Sequence, residues 1–159
     1  MENAAVTEIR FYHLEQRTSE QALPALVEEA LGQRVNVIVE APDRDFLERL
    51  DDRLWSFSDD SFLPHAIAGE GADENQPILL TTTSENRNGA TMRFLLAGAK
   101  AGPSLAPALV AYDRIVVLFN GSDEGEIAGA RAQWAELKAA GRSLSYWRQG
   151  EGGGWEKVR

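Results

Sequence analysis

The sequence predicts an α/β fold of three layers, α/β/α, in which helices cover both faces of a mainly parallel sheet. Short β-branched runs alternate with longer segments whose apolar residues recur at the helical period. The order is strand, helix, strand, helix, several strands, helix and strand, which is typical of parallel strands joined by crossover helices. A length of 159 residues fits one domain, so we expect a single domain over residues 1–159.

The first strand and the first helix are predicted from residues 7–32. Residues 7–14 ("TEIRFYHL") carry large apolar side chains in imperfect alternation, as a strand does. Ser19 is the expected N-cap of the helix, and Gly32 lies where the glycine just beyond a helix belongs. Pro24 removes one early helical hydrogen bond, so the helix is kinked there or begins later.

The second strand and helix follow directly. Residues 34–40 ("RVNVIVE") are short and β-branched, which predicts a buried strand. Pro42 is expected near the first helical position, with Asp43 in the first turn. The apolar stripe of this helix comprises Phe46, Leu47, Leu50, Leu54 and Phe57.

Three further strands and a turn are expected in the middle of the chain. Residues 77–81 ("PILLT") and 92–97 ("MRFLLA") predict two short strands, and residues 113–120 ("DRIVVLFN") predict the strongest strand. A loop and a short apolar turn at residues 105–110 separate the last two.

The last helix is expected to begin at a cap formed by Ser122 or Asp123 and to run through Ala140, with Gly141 closing it. Residues 143–147 ("SLSYW") predict the final strand. We expect residues 150–159 to be a flexible glycine-rich tail, which Trp155 could tether.

Composition excludes several classes of site. The chain has no cysteine and only two histidines, so thiolate and His-rich metal sites are excluded. A net charge of −9 argues against direct binding of DNA. The sequence begins without a signal-peptide pattern, and no apolar run approaches the roughly 20 residues of a membrane helix, so we expect a cytoplasmic protein without a membrane partner.

Motifs for catalysis are weak. Gly69-Glu70-Gly71 resembles the start of a dinucleotide fingerprint, but its third glycine is missing and no strand pattern precedes it. His13 and His65 lack the sequence context of a catalytic triad. A small α/β enzyme or nucleotide-binding protein that uses the Gly69–Gly71 loop is therefore the alternative hypothesis.

The last helix carries a basic and aromatic stripe. Arg131, Trp134 and Lys138 lie at positions i, i+3 and i+7, so they share one face. Either Trp134 belongs to the core and the cations flank it, or the three side chains form a pocket for a carboxylate and an apolar ring. A separate face of small residues that could pack on the sheet comprises Ala128, Ala132, Ala135 and Ala139.

Residues 54–71 ("LWSFSDDSFLPHAIAGEG") concentrate large apolar side chains where the helical pattern ends. They either plug the core of this protein or form a binding surface for another protein, since Trp, Phe and Pro in one short segment are typical of interfaces. If Phe62 and Leu63 bind a partner, we expect them to be partly exposed. Their truncation would then leave folding stability nearly unchanged.

Five motifs, in this order along the chain, resemble the chi subunit family of bacterial DNA polymerase III. The combination of L-D-x-x-L-W with S-F-x-P-H is the most specific part of the resemblance, and the region after Trp147 extends beyond it. The motifs are "LDDRLW" (50–55), "SFLPHAIAGEG" (61–71), "QPILLT" (76–81), "RIVVLFN" (114–120) and "ARAQWAELKAAG" (130–141).

The resemblance implies a Rossmann-like fold without catalytic activity and without a cofactor or metal. It implies an accessory subunit of the DNA-directed DNA polymerase (nucleotidyltransferase) holoenzyme in DNA replication. Members of the family link the clamp loader, through the psi subunit, to the acidic C-terminal tail of single-stranded DNA-binding protein. That tail ends in Pro-Phe with a free carboxylate, and contact with DNA is indirect.

The family pattern also assigns residues to two surfaces. The surface for psi or another clamp-loader component is assigned Trp55, Phe62, Leu63, Pro64 and His65. The tail pocket is assigned Arg131, Trp134, Lys138 and Phe119. Trp134 replaces the usual tyrosine of the family, and Ile127 stands where the family pattern has a lysine.

Overall fold

The computed structural model describes residues 6–57, 63–106, 112–152 and 154–159. Its helices are α1 (Ser19–Gly32), α2 (Arg44–Trp55) and α3 (Glu124–Ala139). Short 3-10 turns lie at Asp73–Asn75 and Gly102–Leu105. The strands of the described residues are β1 (Glu8–Leu14), β2 (Val37–Glu40), β3 (His65–Ile67), β4 (Ile78–Thr81), β5 (Met92–Leu95), β6 (Arg114–Asn120), β7 (Ser143–Gln149) and β8 (Trp155–Lys157).

All of these strands form one sheet, in the order β3-β4-β2-β5-β6-β1-β7-β8. Every neighbouring pair is parallel except β7 and β8, which are antiparallel. Alternate side chains of β1 point to opposite faces of the sheet. Tyr12 and Leu14 therefore pack with α1 and α2, whereas Ile9 and Phe11 pack with α3. The α/β class with helices on both faces is confirmed.

Two helix starts differ from the sequence prediction, that of α1 by one residue and that of α2 by about two. Thr18, rather than Ser19, is the N-cap of α1, because its side chain accepts a hydrogen bond from the backbone N–H of Gln21. Pro24 lies inside this helix, which includes Gly32 as its last residue. The left-handed conformation after α1 is taken by Arg34 instead, at a φ of 61°.

The second helix begins after Asp43, whose carboxylate accepts from the backbone N–H of Phe46 at 2.8 Å. Pro42 therefore precedes the cap instead of occupying the first turn. Phe57, predicted on the apolar stripe, lies beyond the end of α2. It is 37% exposed, so the stripe ends at Leu54.

The two outermost strands were missed. The chain from 65 to 67 adds β3 at one edge of the sheet. At the other edge, the tail expected to be flexible forms β8, which pairs with β7, Gln149 opposite Trp155. Trp155 also stacks on Tyr12, with the ring centroids 4.2 Å apart. Most of the apolar turn predicted at residues 105–110 lies outside the described residues.

The packing face of α3 was also predicted incorrectly. The small residues Ala128, Ala132, Ala135 and Ala139 are all exposed. The helix instead buries Ala130, Gln133 and Leu137. Gln133 binds a loop, since its side chain accepts from the backbone N–H of Ala101 at 3.0 Å and donates to the carbonyl of Ala99 at 3.2 Å. Among the described residues, no helix has the length and apolar character needed to span a membrane.

Candidate functional site

A cavity of about 520 Å³ lies between α3 and the strands β6, β1 and β7, close to the end of the chain. Its walls combine aromatic rings, aliphatic side chains and three arginines. The residues that line it are Phe11, His13, Phe119, Ile127, Ala130, Arg131, Trp134, Tyr146, Arg148, Val158 and Arg159.

Strand register brings the aromatic floor of this pocket together. Tyr146 of β7 lies opposite Phe11 of β1, and Phe119 of β6 lies opposite His13 of β1. Trp134 reaches down from α3 and makes edge contacts with Phe11 and Tyr146, at centroid distances of 5.3 and 6.1 Å. Trp134 is half-buried. The floor is therefore a preformed apolar surface on which a ring or proline could stack.

The cations of the pocket come from three separate parts of the chain. Arg131 lies on α3, Arg148 on β7, and Arg159 follows β8. Arg148 pairs with Glu15, with 3.0 Å between Nε and Oε1. Within the described part of the chain, neither Arg131 nor Arg159 has an Asp or Glu partner. The pocket is thus a local centre of positive charge in a chain whose net charge is −9.

His13 and Tyr146 line the same cavity as these three arginines. Nδ1 of His13 is hydrogen-bonded to the hydroxyl of Tyr146 at 2.6 Å. Burial lowers the pKa of His13, and the nearby Arg148 and Arg131 act in the same direction against Glu15. Burial raises the pKa of Tyr146, while the three arginines act to lower it. At neutral pH the pair is therefore an uncharged hydrogen-bonding element between cations.

A glycine allows His13 to occupy this position. A Cβ atom at Gly121 would overlap the imidazole of His13 and approach the carbonyl oxygen of Leu14 to 2.7 Å. The backbone N–H of Gly121 donates to that same carbonyl at 2.6 Å. The absence of a side chain thus lets the chain after β6 pass directly beside β1.

The sequence-predicted pocket residues are brought together in part. Arg131, Trp134 and Phe119 all line the cavity, and Ile127 contributes to its aliphatic wall. Lys138 is exposed on α3 and is not among the lining residues. Sequence reasoning did not assign Phe11, His13, Tyr146, Arg148, Val158 and Arg159 to the pocket. For Phe11 and His13 a signal was present, because residues two apart on strand β1 point to the same face of the sheet.

The surface around Trp55 lies beside β3, at the opposite edge of the sheet. Trp55 ends α2 and is 54% exposed, with its ring 4.4 Å from that of His65. His65 is buried, with Nε2 at 3.0 Å from Oδ1 of Asp51. Pro64 is half-buried.

Leu63 is only 3% exposed and belongs to the core, so the expectation that it is partly exposed was wrong. Its backbone carbonyl accepts from Nδ1 of His65, which fixes the turn into β3. Phe62 lies outside the described residues.

The loop Gly69–Gly71, the phosphate site of the alternative hypothesis, already forms hydrogen bonds within the protein. The backbone N–H of Gly69 donates to the carboxylate of Asp73 at 3.0 Å, and Arg87 binds the same carboxylate at 3.2 Å. A donor that phosphate would need is therefore satisfied internally. Across residues 6–57, 63–106, 112–152 and 154–159, no group of three or more His, Asp or Glu is arranged to hold a metal ion.

Comparison with known proteins gives one clear result. The model of the family described as DNA polymerase III chi subunit, HolC, matches residues 6–145. The crystal structure of the C-terminal part of the Fun30 ATPase domain is similar over 70% of this chain and 44% of that chain, at a TM-score of 0.49 and 13% identity. This chain therefore spans less than half the length of that structure. None of the curated proteins matches the chain.

Proposed function

The chain belongs to the DNA polymerase III chi subunit family, and from this premise we propose that it is a non-catalytic subunit linking two partners in DNA replication. One partner is the clamp-loader complex, through psi or another component. The other is the acidic C-terminal tail of single-stranded DNA-binding protein. The observation that carries the proposal is the pocket under α3, where aromatic walls surround an arginine with no carboxylate partner in the described residues.

The chemistry of the pocket suits such a tail. A peptide that ends in proline and phenylalanine presents two apolar rings, a terminal carboxylate and acidic residues before them. The half-buried rings of Trp134 and Tyr146 offer surfaces for the rings. The buried rings of Phe11 and Phe119 support them from the core. Arg131 lies at the rim with its planar guanidinium exposed, a geometry that binds carboxylates through two parallel hydrogen bonds.

The charge distribution supports an indirect role at DNA. A net charge of −9 disfavours phosphate binding over most of the surface. A confined basic pocket can still bind an acidic peptide, because its cations act over a Debye length of about 10 Å at 0.1 M salt.

The surface around Trp55 is the proposed contact with the clamp loader. Trp55 is 54% exposed and Phe57 37% exposed, and the two residues are two positions apart in sequence at the end of α2. Exposed aromatic side chains at the rim of a folded core are the usual anchors of protein interfaces. Leu63 and His65 would support this surface from below, since both are buried.

Binding of a synthetic tail peptide, measured by calorimetry, tests the proposal. We expect Arg131→Ala to weaken binding by about 1.5–3 kcal/mol, the range for hydrogen bonds to charged groups. Lys138→Ala is the matched control, because it removes an exposed cation of the same helix that does not line the cavity. Equal effects of the two substitutions would show that only net charge matters and would remove Arg131 from the site.

A further inference from the structure

The pocket is completed by a part of the chain outside the family match, which ends at residue 145. The segment after β8 is held against β7 by backbone hydrogen bonds on both sides of Tyr146. The N–H of Tyr146 donates to the backbone oxygen of Arg159 at 2.6 Å, and the N–H of Val158 donates to the carbonyl of Tyr146 at 2.7 Å. Val158 and Arg159 are therefore positioned by the same residue that forms the aromatic floor.

The guanidinium of Arg159 lies over two rings of the pocket. Its central carbon is 5.3 Å from the ring centroid of Trp134 and 5.8 Å from that of Tyr146. Stacking of this kind orients the guanidinium and leaves its N–H groups at the edge available for a ligand. Among the described residues, no Asp or Glu carboxylate lies within ion-pair distance of Arg159.

We propose that Arg159 is a ligand-binding cation that the C-terminal hairpin of β7 and β8 adds to the pocket, where it binds an anionic group of an acidic peptide. This inference rests on the proposed function and specifies one more residue of the same site. Three arginines line the cavity, but Arg148 is already paired with Glu15. Arg131 and Arg159 thus remain to bind the carboxylates of a peptide from two sides.

The segment forms a wall of the pocket and does not fill it. The cavity of about 520 Å³ exists with Val158 and Arg159 among its lining residues. Val158 is 48% exposed, so its side chain is not inserted between the aromatic rings of the floor. A segment that occupied the peptide site would bury its apolar side chain there.

The test compares three variants with the wild-type protein, using a synthetic peptide of several acidic residues that ends in Pro-Phe with a free carboxylate. We expect Arg159→Ala to weaken binding about tenfold, the effect of losing one charge-assisted hydrogen bond at a partly exposed site. Its affinity should also depend less steeply on salt. Lys157→Ala is the matched control, since Lys157 is an exposed cation of β8 that does not line the cavity, and we expect it to change affinity less than about twofold.

Arg131→Ala separates the two proposals. If Arg131→Ala weakens binding while Arg159→Ala equals the wild type or the Lys157 control, the role of Arg159 is overturned and the proposed function stands. Tighter binding by Arg159→Ala would show that the segment obstructs the pocket, which also overturns the inference. If the wild-type protein does not bind the peptide at all, the proposed function fails together with the inference.

Discussion

The two edges of the sheet carry the two proposed binding surfaces, and they are built in opposite ways. At the β3 edge, Leu63 is packed in the core, His65 contacts Asp51 and the Leu63 carbonyl, and exposed Trp55 lies above them. At the β8 edge, Arg131 and Arg159 lie beside an open cavity, with no Asp or Glu partner among the described residues.

This difference shows where a ligand can gain binding energy. A buried group whose contacts are satisfied within the fold contributes to stability, and a partner gains little from it. The exposed part of an aromatic ring, or a cation without an Asp or Glu partner, contributes little to folding and offers contact surface to a ligand. We therefore expect Leu63 and His65 to act on the fold, Trp55 on the clamp-loader side, and the arginines on the peptide side.

The largest expected effect is that of Leu63→Ala on stability. Removal of a fully buried leucine leaves a cavity, so we expect a loss of about 2–5 kcal/mol in the free energy of unfolding. Urea denaturation measures it, with Phe57→Ala, a partly exposed neighbour beyond α2, as control. An unfolding midpoint unchanged by Leu63→Ala would contradict the contrast between the two edges, because Leu63 would then contribute nothing to the stability of the core.

Trp55→Ala should separate binding from folding. We expect the affinity for the clamp-loader component to fall by about 2 kcal/mol or more, as at other aromatic hot spots. The stability loss should be smaller, because more than half of Trp55 is exposed. Capture of purified clamp-loader components and calorimetry with the tail peptide measure the two surfaces separately.

Arg131→Ala is the reciprocal variant in the same experiment. It should lose peptide affinity and keep clamp-loader binding, since the surfaces lie at opposite edges of the sheet and distant sites act additively. Loss of both activities in either variant would contradict the separation of the two edges.

The sequence predicted the elements whose patterns are local, and missed those that depend on distant parts of the chain. Strand β6 and helix α2 have clear periods, and both were predicted within about two residues of their ends. Strands β3 and β8 have three residues each, which is too short for any periodicity, and they exist because a neighbouring strand offers hydrogen bonds.

The same distinction applies to the pocket. Arg131 and Trp134 share a helix face, so their spacing alone predicted that they act together. Tyr146 and Arg159 join them only through the β1–β7 register and the β7–β8 hairpin, which no local pattern specifies. Alanine spacing on α3 misled the prediction of its packing face, since alanine is tolerated equally on exposed and buried helix faces.

Salt should affect the two edges unequally. Raising the ionic strength from about 0.1 to 1 M shortens the Debye length from about 10 to 3 Å. We expect peptide affinity to fall over this range because it depends on Arg131 at the surface. Binding through Trp55 should change little, since burial of an aromatic ring is not screened. A peptide affinity independent of salt would mean that the arginines do not bind it.

The smallest expected effect is a pH dependence at His13, with His65 as an internal reference, since the chain has only these two histidines. Burial lowers the pKa of His13 in the folded protein, so the unfolded chain binds a proton more readily. Stability should therefore decrease slightly as the pH falls through about 6.5, the ordinary histidine value, toward the lower folded pKa. His13 faces Glu15, Arg131, Arg148 and the hydroxyl of Tyr146. A peptide carboxylate bound by Arg131 and Arg159 in the same cavity would favour protonated His13. Peptide affinity should thus increase modestly toward acidic pH, and His13→Gln should abolish the increase. Proton NMR of the imidazoles measures this directly: the His13 resonance should titrate at higher pH when peptide is added, and the peptide should leave the chemical shift of the His65 resonance unchanged. A shift confined to His65 would place the peptide at the opposite edge of the sheet.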